Sequence, residues 1–337
     1  QMCIRDSYNP AAGNTYTLDR WAYGKAGSAT HSITQDTDAP SFTQSGYNFQ
    51  NSLRLNLTSA SASLAATDYY IIYQRVEGYN FASLAQKAFT ISFWVKASLP
   101  GTYCVGLANS NRDRSFVKEF TVNSASVWEK KTIQVAASPS AGTWDYTTGR
   151  GLEVCFVIAA GSSFQTTQGV WQSGNYLSTP SLVNGVSSAA TDFRITGVSI
   201  NEGVEPLPFK LAGGNFAGEL VMCQRYYELK EYSGNTYSAM FVTYNGGNFF
   251  GSVQSFSVPK RTVPFTSLSY DNLGGWHWVQ PGIARFSADN NSTGTTVQGT
   301  VDGWYIQQIR QAGNNVPTNG NIYYLEATFN IKADAEL

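Results

Sequence analysis

Charge is scarce in this chain. Only 13% of the 337 residues are Asp, Glu, Lys or Arg, and 22 basic against 23 acidic residues leave a formal net charge of −1. That is about half the usual charged share of roughly 25%. No Lys/Arg run or basic stripe occurs, so the electrostatic footprint of nucleic-acid binding is missing. Histidine is nearly absent: His31 and His277 lie far apart. There is no HxxxH, CxxC or HExxH spacing to build a metal centre. Two histidines leave few options for a Ser-His-acid triad, and there is no GxSxG elbow. The glycine-rich stretches lack the strand–turn–helix context of a phosphate-binding loop. No apolar run reaches the ~20 residues of a membrane-spanning helix. Cysteine is sparse too. Cys3, Cys104, Cys155 and Cys223 form no framework, which fits a reducing folding environment and small buried thiols rather than disulfides.

What fills the sequence is Ser, Thr, Asn, Gln and Gly, with 8 Trp, 20 Tyr and 19 Phe against a 42% hydrophobic content. Such a chain buries a sizeable core. Its polar, weakly charged surface suits stacked β-structure and contact with neutral sugars. Period-2 alternation dominates: Leu53, Leu55 and Leu57 oppose Arg54 and Asn56, and Phe89 to Lys96 alternates almost without fault. Tyr69 to Val76, Phe116 to Val122, Lys130 to Val135, Leu152 to Ile158 and Phe193 to Ile200 continue the pattern. Strands bounded by Gly, Asn, Ser and Pro clusters predict an antiparallel sandwich of the jelly-roll type.

A short helix is expected over 81–86, capped by Asn80. Pro206, Pro208, Gly213 and Gly214 mark a linker, and Leu220, Cys223 and Tyr227 predict a helical stripe within 216–232. Strands are expected again from Tyr237 on, at 238–244, 249–258, 263–270, 283–286, 295–301, 304–310 and 322–331, with turns at Asn245-Gly246-Gly247, Asp302-Gly303 and Asn319-Gly320. The fold class is therefore all-β: two antiparallel β-sandwich, jelly-roll-like domains joined by a linker and a short helix. Residues 8–205 form the first, 206–232 the connection and 233–337 the second. Residues 1–7, QMCIRDS, read as a translated sequencing adaptor, which makes Cys3 non-native.

A set of motifs resembles a known family. Asp19-Arg20-Trp21 is followed by Gln74-Arg75-Val76-Glu77-Gly78 and by Thr90 to Ser98 (TISFWVKAS). Gly101-Thr102-Tyr103, Trp128 to Ile133 (WEKKTI) and Ile195-Thr196-Gly197-Val198 come next. Pro208-Phe209, Cys223 to Tyr227 (CQRYY) and the ending Ala333 to Leu337 complete the set. From Tyr16 on, the chain is similar to tail-fibre and virion structural proteins of marine phages. Their N-terminal domain is similar to a carbohydrate-binding-module jelly roll. The pattern departs at 198–203. The resemblance implies a virion location in a tail fibre or appendage, production in the host bacterial cytoplasm, other virion proteins as partners, and a homotrimer.

For chemistry, the aromatic residues stand out, because sugars are held by aromatic faces plus amide and carboxylate hydrogen bonds. Trp144, Asp145 and Tyr146 lie in a polar stretch between strands, and Trp171 and Tyr176 in a long Gly/Ser/Thr/Gln loop. Trp94 falls on the polar side of its strand with Thr90, Ser92 and Lys96. Trp276 and Trp278 flank His277. The competing reading for each is burial in the core or at a subunit interface. Asp36-Thr37-Asp38 offers alternating carboxylates for a structural calcium ion; no other cofactor is expected. Paired acids for glycoside hydrolysis are limited to Asp68 with Glu77 or Asp145 with Glu153, each also read as a turn or strand-edge residue, and no enzyme activity is expected. The reading is an appendage protein that attaches to a host-surface glycan or protein, without nucleic-acid binding or membrane insertion. The alternatives are a carbohydrate-binding module of a secreted bacterial protein and a polysaccharide depolymerase.

Overall fold

A computed structural model describes residues 7–8, 13–188, 190–232, 238–245, 248–251, 254–269, 277–280, 284–287, 296–308, 322–326 and 329–336. The chain forms two compact units that divide between Asn215 and Phe216. Every paired strand in both is antiparallel, and the fold is all-β.

The first unit holds β1 (Ser7–Tyr8), β2 (Thr15–Tyr16), β3 (Trp21–Ala26), β4 (Thr30–Asp36), β5 (Ser52–Ser59), β6 (Tyr69–Glu77) and β7 (Phe89–Ala97). It continues with β8 (Gly101–Ala108), β9 (Arg114–Val122), β10 (Glu129–Val135), β11 (Arg150–Ala160), β12 (Trp171–Ser173) and β13 (Asp192–Glu202). Sheet A runs β1-β4-β5-β13-β7-β10, and sheet B runs β12-β9-β8-β11-β6-β3-β2. The alternation read from the sequence is the reason they face each other. Leu53, Leu55, Ile91, Phe93, Val95 and Ile195 from sheet A meet Tyr23, Ile72, Val105, Phe120 and Phe156 from sheet B in one core. Phe93 lies edge-on to Phe156 at 4.9 Å and to Phe120 at 5.1 Å between ring centroids. Such edge-to-face pairs add to the stabilisation from burial alone.

Sheet B is buried on its inner face and over part of its outer face. Ile71, Tyr73, Cys104, Val117, Cys155 and Val157 form a second cluster on its outer side, and Phe164, Tyr176, Leu177 and Leu182 from the 161–182 segment pack on it. This explains the unbroken apolar run Val154–Ala160 of β11, whose Val154 and Phe156 face sheet A while Cys155 and Val157 face the covering segment.

The helices differ from expectation. The early one is α1 (Phe42–Ser45), closed by a Ser41/Gln44 capping box. The next, α2, spans Gly78–Phe81, so Phe81 ends this helix rather than opening one over 81–86, and Asn80 lies inside it.

The second unit begins with α3 (Phe216–Gln224) and continues with β14 (Tyr227–Tyr232), β15 (Ser238–Asn245), β16 (Asn248–Gly251), β17 (Gln254–Ser255), β18 (Phe265–Ser269) and β19 (His277–Gln280). Then come β20 (Ala284–Ser287), β21 (Thr296–Gly299), β22 (Gly303–Gln308), β23 (Ile322–Glu326) and β24 (Phe329–Asp334). They pair in three sheets, β14-β24-β18, β16-β15-β23-β19-β20 and β17-β22-β21. The expected helical stripe through Tyr227 is corrected here. The helix stops at Gln224, and Tyr227 starts a strand paired with β24 in the register Tyr227↔Asp334. Residues 216–232, placed in the connection by the sequence, thus belong to the second unit. Residues 203–209 lie along sheet A: Thr90 Oγ1 donates to Gly203 O at 2.7 Å, and Gln134 Nε2 donates to Val204 O at 3.0 Å.

Candidate functional site

Three surfaces of the first unit gather the residues singled out by sequence.

At one end of the first unit, Trp144 and Tyr146 stack on Phe81, and Trp171 abuts Trp144. The Trp144 ring stacks on Phe81 at 5.3 Å, Tyr146 lies nearly parallel to Phe81 at 6.3 Å, and Trp171 meets Trp144 edge-on at 5.6 Å. Glycines let the loop carrying Trp144 and Tyr146 close down. A Cβ on Gly78 would lie 2.5 Å from Thr147 N and 2.6 Å from Asp145 O. Both indole N–H groups serve the fold: Trp144 donates to Ala141 O at 3.1 Å and Trp171 to Ala136 O at 2.9 Å. Asp145 is a turn residue, its Oδ1 accepting from Thr147 N at 2.7 Å and from Thr147 Oγ1 at 3.0 Å. Here the aromatic rings mainly pin a loop, and Tyr146 is the most exposed of them.

On the outer face of sheet A, Trp94 is half-buried and pairs in register with Lys130 of β10 and Thr196 of β13. A bulge follows Thr196, with Gly197 at φ +60°. A Cβ there would lie 2.6 Å from the Phe49 ring and 3.3 Å from Trp94 Cδ1. Phe49 itself packs with Tyr47 at 4.8 Å and Phe209 at 5.0 Å. Among the described residues, the indole N–H of Trp94 donates to no protein group, unlike those of Trp128, Trp144 and Trp171.

Beside Trp94 runs a lattice of three carboxylates and three cations that sequence reasoning missed. Asp38 Oδ2 accepts from Lys96 Nζ at 2.7 Å and from Arg194 Nη1, and Asp38 Oδ1 accepts from Trp128 Nε1 at 3.0 Å. Asp192 accepts from Arg54 Nε at 2.7 Å and from Arg194 Nε at 2.9 Å, and Asp36 pairs with Arg54 at 3.4 Å. Burial pushes the Asp38 carboxyl up, but the hydrogen bonds from Lys96 and Trp128 and the charges of Lys96 and Arg194 outweigh it and hold it below the usual range. The calcium candidates Asp36 and Asp38 thus face cations. Among the described residues no group of three or more His, Cys, Asp or Glu side chains is arranged to hold a metal. The signal was the outward Arg54, Lys96 and Arg194 of three adjacent strands, legible only once their order is known.

On the outer face of sheet B, Glu153 of β11 sits under Arg75, Arg112 and Arg150. Tyr176 packs on the outer cluster of the same sheet from the covering segment, its N–H donating to Ser115 Oγ at 3.1 Å. The paired-acid candidates are spoken for. Glu153 is held by arginines, Glu77 is buried, and Asp68 Oδ2 accepts from Ala65 N at 3.0 Å. Trp276 lies outside the described residues, as does the Trp278 side chain, although the Trp278 backbone is in β19.

No protein-family model matches the chain, and no curated protein matches it. Solved structures of carbohydrate-binding modules show a distant similarity. One described as "CBM4 structure and function" is 14% identical over 58% of this chain and 95% of its own, with a TM-score of 0.32. The family 11 carbohydrate-binding module of the cellulase Lic26A-Cel5E from Clostridium thermocellum is 12% identical over 59% of this chain and 97% of its own, with a TM-score of 0.32. The tandem CBM22-1-CBM22-2 domains of Paenibacillus barcinonensis Xyn10C are 11% identical over 99% of this chain and 100% of their own, with a TM-score of 0.26. Similarities this distant assign neither family nor function.

Proposed function

We propose that the first unit is a carbohydrate-binding jelly roll that stacks a sugar ring on Trp94 at the outer face of sheet A. The observation that carries this reading is the half-buried Trp94 indole with its N–H unclaimed by protein, set in a polar sheet face. A sugar presents an apolar C–H face for the ring and hydroxyls for the surrounding donors and acceptors. Lys130 and Thr196 flank the ring, and the Asp38–Lys96–Arg194 lattice holds charged groups in fixed positions beside it. Groups already locked by partners lose little freedom on binding. The cluster of Trp144, Tyr146 and Trp171 serves as a loop anchor with one exposed ring. Screening the full chain on a glycan array, beside Trp94→Ala and Trp144→Ala, tests this. Signals lost in the first variant and kept in the second support it; signals that survive Trp94→Ala contradict it.

We place the carbohydrate-binding module ahead of the tail-fibre reading, because a sugar-contacting face is what the geometry supports. Attachment to a virion, a virion location and trimer assembly rest on the sequence resemblance. Light scattering on residues 8–337 tests the last: a trimer supports the appendage reading and a clean monomer speaks against it.

A further inference from the structure

The Glu153 cluster has more cations than its carboxylate can answer. Glu153 Oε1 accepts from Arg112 Nη2 at 2.7 Å and Nε at 3.1 Å, and Oε2 accepts from Arg150 Nη1 at 3.0 Å and Arg75 Nε at 3.3 Å. Three guanidiniums therefore share one carboxylate, while Arg75 also donates to Tyr16 Oη at 3.3 Å and Tyr73 Oη at 3.4 Å and Arg150 donates to Ser110 O. Glu153 is 1% exposed, whereas Arg75, Arg112 and Arg150 are 20%, 29% and 20% exposed, so solvent reaches the cations and not the anion. The Arg150 Nε–H is buried without an acceptor. Burial and the neighbouring Arg112 and Arg75 lower the Arg150 pKa despite Glu153. The backbone is bent to build the cluster: Arg112 sits at φ +56°, a conformation that non-glycine residues adopt at a cost and that gathers at functional sites. Arg20, at φ +61°, reaches Arg75 O from the neighbouring hairpin. Tyr16 and Tyr73 lie under the Arg75 guanidinium at 5.8 and 5.3 Å.

We propose that Arg75, Arg112 and Arg150 form an oxyanion site on the outer face of sheet B, which takes the sulfate or carboxylate group of an acidic saccharide. Forked guanidinium donors match such groups two N–H bonds at a time, and Glu153 holds the forks in place. The oxyanion site stands on the cluster alone; the saccharide carrier rests on the carbohydrate reading above.

The test is isothermal titration of the full chain with sodium sulfate, a galacturonate oligosaccharide and a sulfated galactan oligosaccharide, at constant ionic strength set with chloride. Two variants accompany it. Arg112→Gln removes one fork. Arg112→Gly removes the same fork and relieves the positive φ, which offsets part of the cost of leaving Glu153 with two cations, and a thermal melt of each variant shows that it is folded. The expected result is saturable binding of sulfate and of at least one acidic saccharide, weakened about tenfold or more in both variants through loss of charge-assisted bonds, and unchanged in Lys87→Gln, a change at an exposed surface pair with Glu202. Absent sulfate binding, or binding indifferent to both variants, overturns the site. Sulfate binding without either saccharide overturns the saccharide assignment. Because sulfate carries no sugar ring, its binding reads the arginine cluster alone, while Trp94→Ala on the glycan array reads sheet A, so the two readings fail separately.

Discussion

Tyr23 Oη and His31 Nδ1 share a hydrogen bond of 2.6 Å inside the first sandwich, where both residues are buried. Burial, with a smaller contribution from Lys25, pushes the His31 pKa from 6.5 down to about 4. The folded state therefore binds fewer protons than the unfolded state between those values, and stability falls as pH drops through that window. The full linkage is about 3 kcal/mol, of which about 1 kcal/mol is lost between pH 7 and 5.5. Carboxylates contribute little there, since their unfolded pKa values lie near 4. Urea unfolding at pH 7 and 5.5 should show this slope in the native chain and a flatter one in His31→Gln. Equal slopes would show that His31 charges freely when folded.

Gly78 is a steric requirement. Its N–H donates to Gly149 O at 2.8 Å, and the adjacent Tyr79 N–H donates to Thr147 O at 2.8 Å, which brings two backbones together. Two of the three atoms that a new Cβ would strike, Thr147 N and Asp145 O, are backbone atoms, which cannot swing away. Gly78→Ala should cost about 2 kcal/mol of stability and shift the tryptophan fluorescence as Trp144 leaves Phe81. A melting temperature within a degree of the native one would show that the loop is not clamped there.

Cys104, Cys155 and Cys223 are buried free thiols. Burial raises the Cys155 pKa well above the ordinary thiol value, with Glu153 adding to it, and burial raises that of Cys104. The thiolate is the reactive form. In a Cys3→Ser background, Ellman's reagent should find no rapidly reacting thiol in the native chain and three in denaturant. Fast labelling of even one in the folded protein would contradict this burial.

How much was legible follows from the range of each signal. Leu53, Leu55, Leu57 and the Phe89–Lys96 segment announce strands because one face is apolar and the other polar, a purely local property. The 216–232 segment misled because Leu220, Cys223 and Tyr227 fit a helical stripe, while the partner that makes Tyr227–Tyr232 a strand lies about a hundred residues later, in Phe329–Asp334. Local propensity does not register such pairing. Trp144, Tyr146 and Trp171 were each visible as candidates, but the stacking of Trp144 and Tyr146 on Phe81 depends on α2 and on the close approach at Gly78. Alternation alone put Trp94 on the side of its strand away from Phe93 and Val95, and the structure turns that side outward on sheet A. The arginines on Glu153 were invisible because they come from β6, from β11 and from the turn before β9.

The central claim is that Trp94 is the sugar platform. The direct measurement is isothermal titration of the best array ligand into the native chain, Trp94→Ala and Trp94→Phe. Loss of a stacking ring is expected to cost about 1.5–3 kcal/mol, or roughly tenfold to a hundredfold in affinity. The account predicts that loss in Trp94→Ala, partial retention in Trp94→Phe and an unchanged melting temperature in the latter. Unchanged affinity in a folded Trp94→Ala protein would contradict it.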